Sequence, residues 1–123
     1  MTVALVLVGG AVGAPLRYLT DLFVQSRHDS VFPWGTFTVN VVGSFVLGGL
    51  GAGLAVAGLP NAVMAVAGTG FCGALTTFST FGFETVRLIE DGSWLEASLN
   101  VTASVVAGLL ACVLGWALVG WLA

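Results

Sequence analysis

Residues 73–81 have the sequence GALTTFSTF, and the last six positions hold four hydroxyl side chains and two phenylalanines. Ser and Thr hydroxyls compete for backbone hydrogen bonds and bend membrane helices. Gly73 weakens the helix further. We therefore predict that the third apolar segment is a helix broken near its middle. Broken backbone at membrane depth is tolerated only where it is buried in protein or lines a wet cavity, so the stretch indicates a functional site.

The composition places the chain in a lipid bilayer. Of its 123 residues only 7% are charged and 58% are hydrophobic, with three arginines, no lysine and six acidic residues. Soluble domains are about 25% charged, so a soluble enzyme, a disordered tail and a disulfide-stapled module are excluded. Nucleic-acid binding is excluded as well, because phosphate neutralisation needs clusters of Lys and Arg.

The apolar segments predict one domain of four membrane-spanning α-helices, since a span takes about 20 apolar residues. The predicted spans cover about residues 2–24, 36–57, 62–88 and 94–121. A β-barrel would instead show short segments of alternating hydrophobicity. All three arginines lie toward the loops that follow spans one and three, which the positive-inside rule would place in the cytoplasm.

Pairs of small residues spaced four apart recur inside the spans. They are Gly9 and Gly13, Gly49 and Gly53, Ser104 and Gly108, and Ala111 and Gly115. No hydrophobic force draws helices together in lipid, so small residues that let backbones approach closely must do so. The pairs predict a tightly packed bundle and an oligomer.

Polar side chains from three spans suggest one shared polar track. Asn40 lies about two turns inside span two, and Asn100 and Ser104 lie one turn apart in span four. A buried amide is costly unless it has a partner. Amide N–H groups, hydroxyls and aromatic ring edges all suit a small anion. The alternative is that the hydroxyls near residues 76–80 bond to their own helix and the rings simply pack.

Few charged residues lie near this track. Glu84 precedes Arg87 by three residues, and we expect the two to pair on one helix face rather than to act in transport. Arg17, about one turn from the end of span one, could raise the local anion concentration. Alternatively, Arg17 extends to the membrane interface and pairs with Asp21.

Three blocks of the sequence resemble the CrcB/Fluc family of fluoride channels. They are GGAVGAPLRY at residues 9–18, GTFTVNVVGSF at 35–45 and GTGFCGALTTFSTF at 68–81. The resemblance implies an antiparallel, dual-topology homodimer with two fluoride pores. It also implies passive export of cytoplasmic fluoride across the plasma (inner) membrane, with no enzymatic activity.

The resemblance also implies roles for individual residues. The pore would be lined by Asn40, Phe78, Ser79, Thr80, Phe81, Asn100 and Ser104. Arg17 would lie near the aqueous vestibule. The backbone carbonyls of Gly73 and Thr76 would hold a structural Na+ at the dimer interface. Some family members carry Tyr at the position of Asn100.

Three other functions remain open on the sequence alone. A small proton-coupled multidrug exporter also has four spans, but that class has an embedded Glu in span one, where residues 9–14 contain no acid. The chain could be one subunit of a heterodimeric fluoride channel with a paralogous partner, because all three arginines lie on one side. It could also be a non-transporting assembly subunit held by GxxxG contacts.

Overall fold

The computed structural model describes residues 2–28 and 32–122, and every regular element within them is a helix. We name the helices α1 (Thr2–Ser26), α2 (Trp34–Ala55), α3 (residues 61–75), α4 (Ser79–Glu90) and α5 (Trp94–Leu122). When α3 and α4 are counted as one segment, Asn61–Glu90, the described residues form four helices that are long and apolar enough to cross a membrane. The predicted all-helical, four-span architecture is confirmed.

The predicted break in the third span lies between α3 and α4. Helix α3 ends at Leu75, and Thr76 has extended backbone with φ −84° and ψ 161°. Both the backbone N–H of Thr76, at 3.0 Å, and its hydroxyl, at 2.9 Å, donate to the carbonyl oxygen of Cys72. The carbonyl oxygen of Cys72, in the last turn of α3, therefore has two donors, and the chain leaves the helix at Thr76.

Most of α3 is wound as a π-helix, which the sequence did not predict. The π-helical part is Met64–Cys72, with the sequence MAVAGTGFC. Its Gly68 and Gly70 are buried. Such wide turns are rare and occur frequently at functional sites.

Glycines hold α1 directly against the backbone of α3. A methyl group at Gly9 would collide with the carbonyl oxygen of Val66, and one at Gly13 with the carbonyl oxygen of Phe71. This GxxxG pair of α1 therefore serves packing within the chain.

The pair α2 and α5 is packed in the same way. A methyl group at Gly48 would collide with the carbonyl oxygen of Cys112, and one at Gly115 with that of Phe45. In contrast, a methyl group at Gly49 would meet only a side-chain atom closely, Val119 Cγ2 at 3.2 Å, and would lie 3.6 Å from the Gly115 carbonyl oxygen. The closest approach of α2 to α5 is thus made at Gly48, next to the predicted pair of Gly49 and Gly53.

The described chain buries few large side chains. Its buried apolar residues are Phe32, Val39, Ala52, Cys72, Leu75, Leu88, Ala97 and Ala111. Many large apolar residues of α1 and α5 are exposed instead. In a membrane such surface contacts lipid or another protein subunit.

Candidate ion pathway

A cavity of about 600 Å³ lies where α2, α3 and α5 meet the break. Its wall is formed by Asn40, Gly43, Ser44, Leu47, Gly68, Thr69, Cys72, Gly73, Thr76, Thr77, Phe78, Phe81, Ser104, Val105 and Gly108. None of these residues is charged. Glycines and hydroxyl side chains make up much of the wall, which leaves both space and hydrogen-bonding groups at membrane depth.

Asn40 connects α2 to the broken segment. Its side-chain Oδ1 accepts the backbone N–H of Thr77 at 2.8 Å, and its Nδ2 donates to the carbonyl oxygen of Thr77 at 3.0 Å. A side-chain amide carries two N–H donors, and this pairing uses one of them. Asn40 also lines the cavity, so its second N–H is available to an anion there.

Two other hydroxyls of the wall give their protons to the backbone. Ser44 donates to the carbonyl oxygen of Asn40 at 2.7 Å, and Thr76 donates to Cys72. The alternative that the hydroxyls bond to their own helix therefore holds for these two residues. By contrast, the hydroxyl of Thr69 has no hydrogen-bond partner within the described residues, and it is a free donor at the cavity.

Phe78 and Phe81 form a ring pair on the cavity wall. Their ring centroids are 6.0 Å apart and the ring planes are inclined at 48°. The edge of an aromatic ring carries partial positive charge, and tilted rings can offer edges to a shared neighbour. Phe78 is 83% exposed in the single chain, so its ring is not covered by its own subunit.

Ser79 and Thr80 lie in the first turn of α4. The backbone N–H of Thr80 donates to the Thr77 hydroxyl oxygen at 3.1 Å, and Ser79 Oγ lies 3.4 Å from the same oxygen. The Thr77 hydroxyl thus accepts a hydrogen bond from the first turn of α4. The backbone N–H and carbonyl of Thr77 are hydrogen-bonded to the Asn40 side chain. Neither Ser79 nor Thr80 is part of the cavity wall in the single chain.

Asn100 and Ser104 are hydrogen-bonded to one another on α5. Ser104 Oγ donates to Asn100 Oδ1 at 3.4 Å, and Asn100 Nδ2 donates to Thr85 Oγ1 at 2.8 Å. Ser104 lines the cavity, whereas Asn100 is only 1% exposed and lies behind it. The two residues share one face, as their spacing predicts.

Among the described residues, no charged side chain is part of the cavity wall. Arg17 is half-buried on α1, is not part of the wall, and forms no ion pair with Asp21 among the described residues. The carboxylate of Asp21 instead packs against the backbone of Gly35, where a methyl group would collide with it.

The expected pairing of Glu84 with Arg87 is wrong. The Glu84 carboxylate lies beside Thr36 on α2, with Asp21 nearby, and its Oε1 is buried without a hydrogen-bond partner. Arg87 is exposed and is not bonded to it. The spacing of three residues permits a pair on an isolated helix, but packing of α4 against α2 turns the carboxylate inward.

The backbone carbonyls at the break are candidates for holding a cation. Those of Gly73 and Thr76 accept no backbone hydrogen bond within the described residues. Gly73 is exposed, and a methyl group built on it would meet no atom within 4 Å. Backbone carbonyl oxygens at a break in a membrane helix can coordinate a hard monovalent cation such as Na+.

Two residues that contribute to the site were not selected from the sequence. Thr77 supplies the peptide group that Asn40 holds, and Thr85 is the partner of Asn100. Thr77 belongs to the hydroxyl cluster, and the cost of burying Asn40 alone could have led to a search for its partner there. Thr85 lies four residues after Phe81, one turn along the same face.

Known proteins of similar sequence share almost the whole chain. Residues 4–116 match the family described as CrcB-like protein, Camphor Resistance (CrcB). The chain is 59% identical over 120 residues to a protein of Frankia casuarinae named fluoride-specific ion channel FluC 1, covering 93% of this chain and 92% of that one.

A protein of the same name from Streptomyces avermitilis is 56% identical over 112 residues, covering 90% of both chains. Fluoride-specific ion channel FluC of Shewanella woodyi is 42% identical over 114 residues, covering 93% of this chain and 92% of that one. The family match covers part or all of each of the four spans and includes every residue of the cavity wall. The chain therefore belongs to the CrcB family.

Proposed function

We propose that this protein is a fluoride-selective ion channel, not an enzyme, and that it lets cytoplasmic fluoride leave the cell passively. The observation that carries the proposal is the uncharged cavity at membrane depth, where the Asn40 amide, hydroxyls and the Phe78 and Phe81 ring pair converge. The family membership and the names of the relatives support it.

The donor set suits a small, strongly hydrated anion. A channel must replace the water of such an ion with its own groups, and selectivity then depends on the placement of those groups. The free N–H of Asn40, the hydroxyl of Thr69 and the edges of the two rings supply partial positive charge without a fixed cation. An uncharged wall binds the anion weakly enough for it to leave again.

No energy source is needed for export. A negative-inside membrane potential favours outward movement of an anion by about 2.3 kcal/mol per 100 mV. The four apolar helices make this a multi-pass membrane protein, and export from the cytoplasm requires that the membrane be the plasma (inner) membrane. Arg17 lies on α1 and is not part of the cavity wall. Its positive charge makes it a candidate for attracting the anion in the aqueous vestibule.

The channel would be completed by a second copy of the chain in antiparallel orientation. One subunit leaves the Phe78 ring 83% exposed at the edge of the cavity. Such a ring can serve the pore only if another protein surface covers it. An antiparallel homodimer would build two equivalent pores, in which Ser79 and Thr80 could reach the ion from the turn that Thr77 caps.

We further propose that the break holds a structural Na+ at the interface of this dimer. Carbonyl oxygens of Gly73 and Thr76 from both subunits would hold it. A bound cation would supply positive charge that offsets the unpaired carbonyl dipoles.

The purified polypeptide alone tests the proposed function. It would be reconstituted into liposomes loaded with potassium fluoride, and efflux would be followed with a fluoride electrode after addition of a potassium ionophore. We expect rapid release of fluoride and retention of chloride in matched vesicles. Absence of flux from well-dispersed, reconstituted protein would contradict a homodimeric channel, and flux restored only by a paralogous chain would indicate a heterodimer.

A further inference from the structure

Three consecutive hydrogen bonds connect the cavity wall to the backbone of α4. Ser104 Oγ donates to Asn100 Oδ1 at 3.4 Å, and Asn100 Nδ2 donates to Thr85 Oγ1 at 2.8 Å. The Thr85 hydroxyl donates in turn to the carbonyl oxygen of Phe81 at 2.8 Å. The chain thus begins at a residue of the wall and ends beneath a ring of the proposed pore.

The proton count along this chain allows one arrangement. A threonine hydroxyl has a single proton, and the Thr85 proton is used on the Phe81 carbonyl. The atom of Asn100 that faces Thr85 must therefore be a donor, which places Nδ2 there. The opposite atom, Oδ1, then faces Ser104 and can only accept, so the Ser104 hydroxyl points its proton away from the cavity.

The two ends of the Asn100 amide are held with different strength. The 2.8 Å bond to Thr85 is of ordinary length, whereas the 3.4 Å bond from Ser104 is long and weak. Ser104 can therefore release its proton from Asn100 and turn it toward an anion in the cavity. The amide of Asn100 itself is buried and cannot follow it.

We propose that Thr85 is a positioning residue for anion passage. It fixes the Asn100 amide so that Oδ1 accepts the Ser104 proton when the cavity holds no ion, and Ser104 donates that proton to the anion when one arrives. Thr85 is not part of the wall of this cavity and acts through Asn100. This inference rests on the proposed fluoride channel function.

The first test compares Thr85→Val with Thr85→Ser in fluoride efflux from liposomes. Valine keeps the shape but leaves the buried Asn100 N–H without an acceptor, so the amide is free to turn over. We expect flux to fall about tenfold, as for the loss of a buried hydrogen bond. Serine keeps the hydroxyl and should preserve flux. If Thr85→Val does not yield dispersed protein, Thr85→Ala is expected to show the same loss of flux.

The matched control is Thr38→Val. The Thr38 hydroxyl donates to the backbone carbonyl oxygen of Trp34, one turn earlier, at 2.7 Å, as Thr85 does with Phe81. Thr38 has no side-chain partner among the described residues, and its replacement should leave flux unchanged. Equal losses in Thr38→Val and Thr85→Val would show a general effect of removing such hydroxyls, which overturns the inference.

A second test separates positioning from a purely structural role. Ser104→Ala should conduct more slowly but measurably, because the donors at Asn40 and Thr69 remain. In that background Thr85→Val should cause no further loss. Independent losses that multiply, or complete loss of flux in Ser104→Ala alone, would overturn the inference. If the unmodified protein conducts and Thr85→Val conducts equally well, this inference fails while the channel function stands; if the unmodified protein does not conduct, the function itself fails.

Discussion

The side-chain amide of Asn40 and the peptide groups of Thr77 are joined by two reciprocal hydrogen bonds of 2.8 and 3.0 Å. The break in the third span deprives these peptide groups of helical partners, and Thr77 is buried. Unsatisfied backbone groups at membrane depth are costly. Asn40 supplies the missing hydrogen-bond partners and so stabilises the break. The same side chain lines the cavity.

We expect Asn40→Asp to abolish fluoride flux. Aspartate can still accept the N–H of Thr77, but it cannot donate to the Thr77 carbonyl, and its negative charge repels an anion in the cavity. Fluoride efflux from liposomes should drop to the level of protein-free vesicles.

Asn61→Asp is the matched control for this change, because Asn61 is exposed at the start of α3, outside the cavity wall. It should conduct normally. Flux through Asn40→Asp equal to that of the control would show that the Asn40 side chain does not contact the ion.

Either Phe78→Ile or Phe81→Ile should also abolish flux while the protein stays folded. Isoleucine fills similar space but has no ring edge to face the anion. The measurement is fluoride efflux together with the elution volume of the purified protein. Phe83→Ile provides the comparison, because Phe83 is exposed on α4 and absent from the cavity wall. Normal efflux in both ring variants would refute the assignment of the pore.

Gly9→Ala should destabilise the bundle. The added methyl group would collide with the Val66 carbonyl oxygen, an atom of the backbone that cannot move aside alone. Such overpacking costs about 1–3 kcal/mol, which thermal unfolding in detergent would detect as a lower midpoint. A methyl group at Gly120 would meet no atom within 4 Å, so Gly120→Ala should not lower the midpoint and can raise it through the better helix propensity of Ala. An unchanged midpoint in Gly9→Ala would mean that α1 and α3 lie farther apart.

Removal of Na+ should lower the thermal stability of the purified protein. The unfolding midpoint would be measured in sodium chloride and in choline chloride at equal ionic strength. A cation held by the carbonyls of Gly73 and Thr76 would bind only the folded protein and would therefore stabilise it. Choline is too large to bind between such carbonyls. Equal midpoints in the two salts would argue against a structural Na+.

The span count and the break could be predicted from the sequence because each depends on local composition. Four apolar segments of membrane length leave little choice of fold. The density of hydroxyls at residues 76–80, after a glycine, is enough to end a helix wherever the chain folds. The cost of burying an amide without a partner led to the expectation that Asn40 shares a polar track with that segment, but its pairing with Thr77 was not predicted.

The remaining features depend on packing that sequence spacing does not reveal. The π-helical winding of Met64–Cys72 accompanies close backbone contact with α1 through Gly9 and Gly13. The inward turn of Glu84 depends on where α2 lies. The bond between Asn100 and Thr85 joins two helices across a short loop, and nothing in either helix alone identifies the partner.

The π-helical stretch of α3 has a consequence for how the chain tolerates change in length. Wide turns advance around the helix axis by a smaller angle per residue than α-helical turns do. The direction in which Thr76 and Phe78 leave the end of α3 therefore depends on how many residues Met64–Cys72 contains. Deleting a single residue there would let the segment relax to an ordinary α-helix and rotate the ring and the carbonyls away from Asn40. We therefore expect insertions and deletions within Met64–Cys72 to be tolerated as poorly as changes of the side chains that line the cavity.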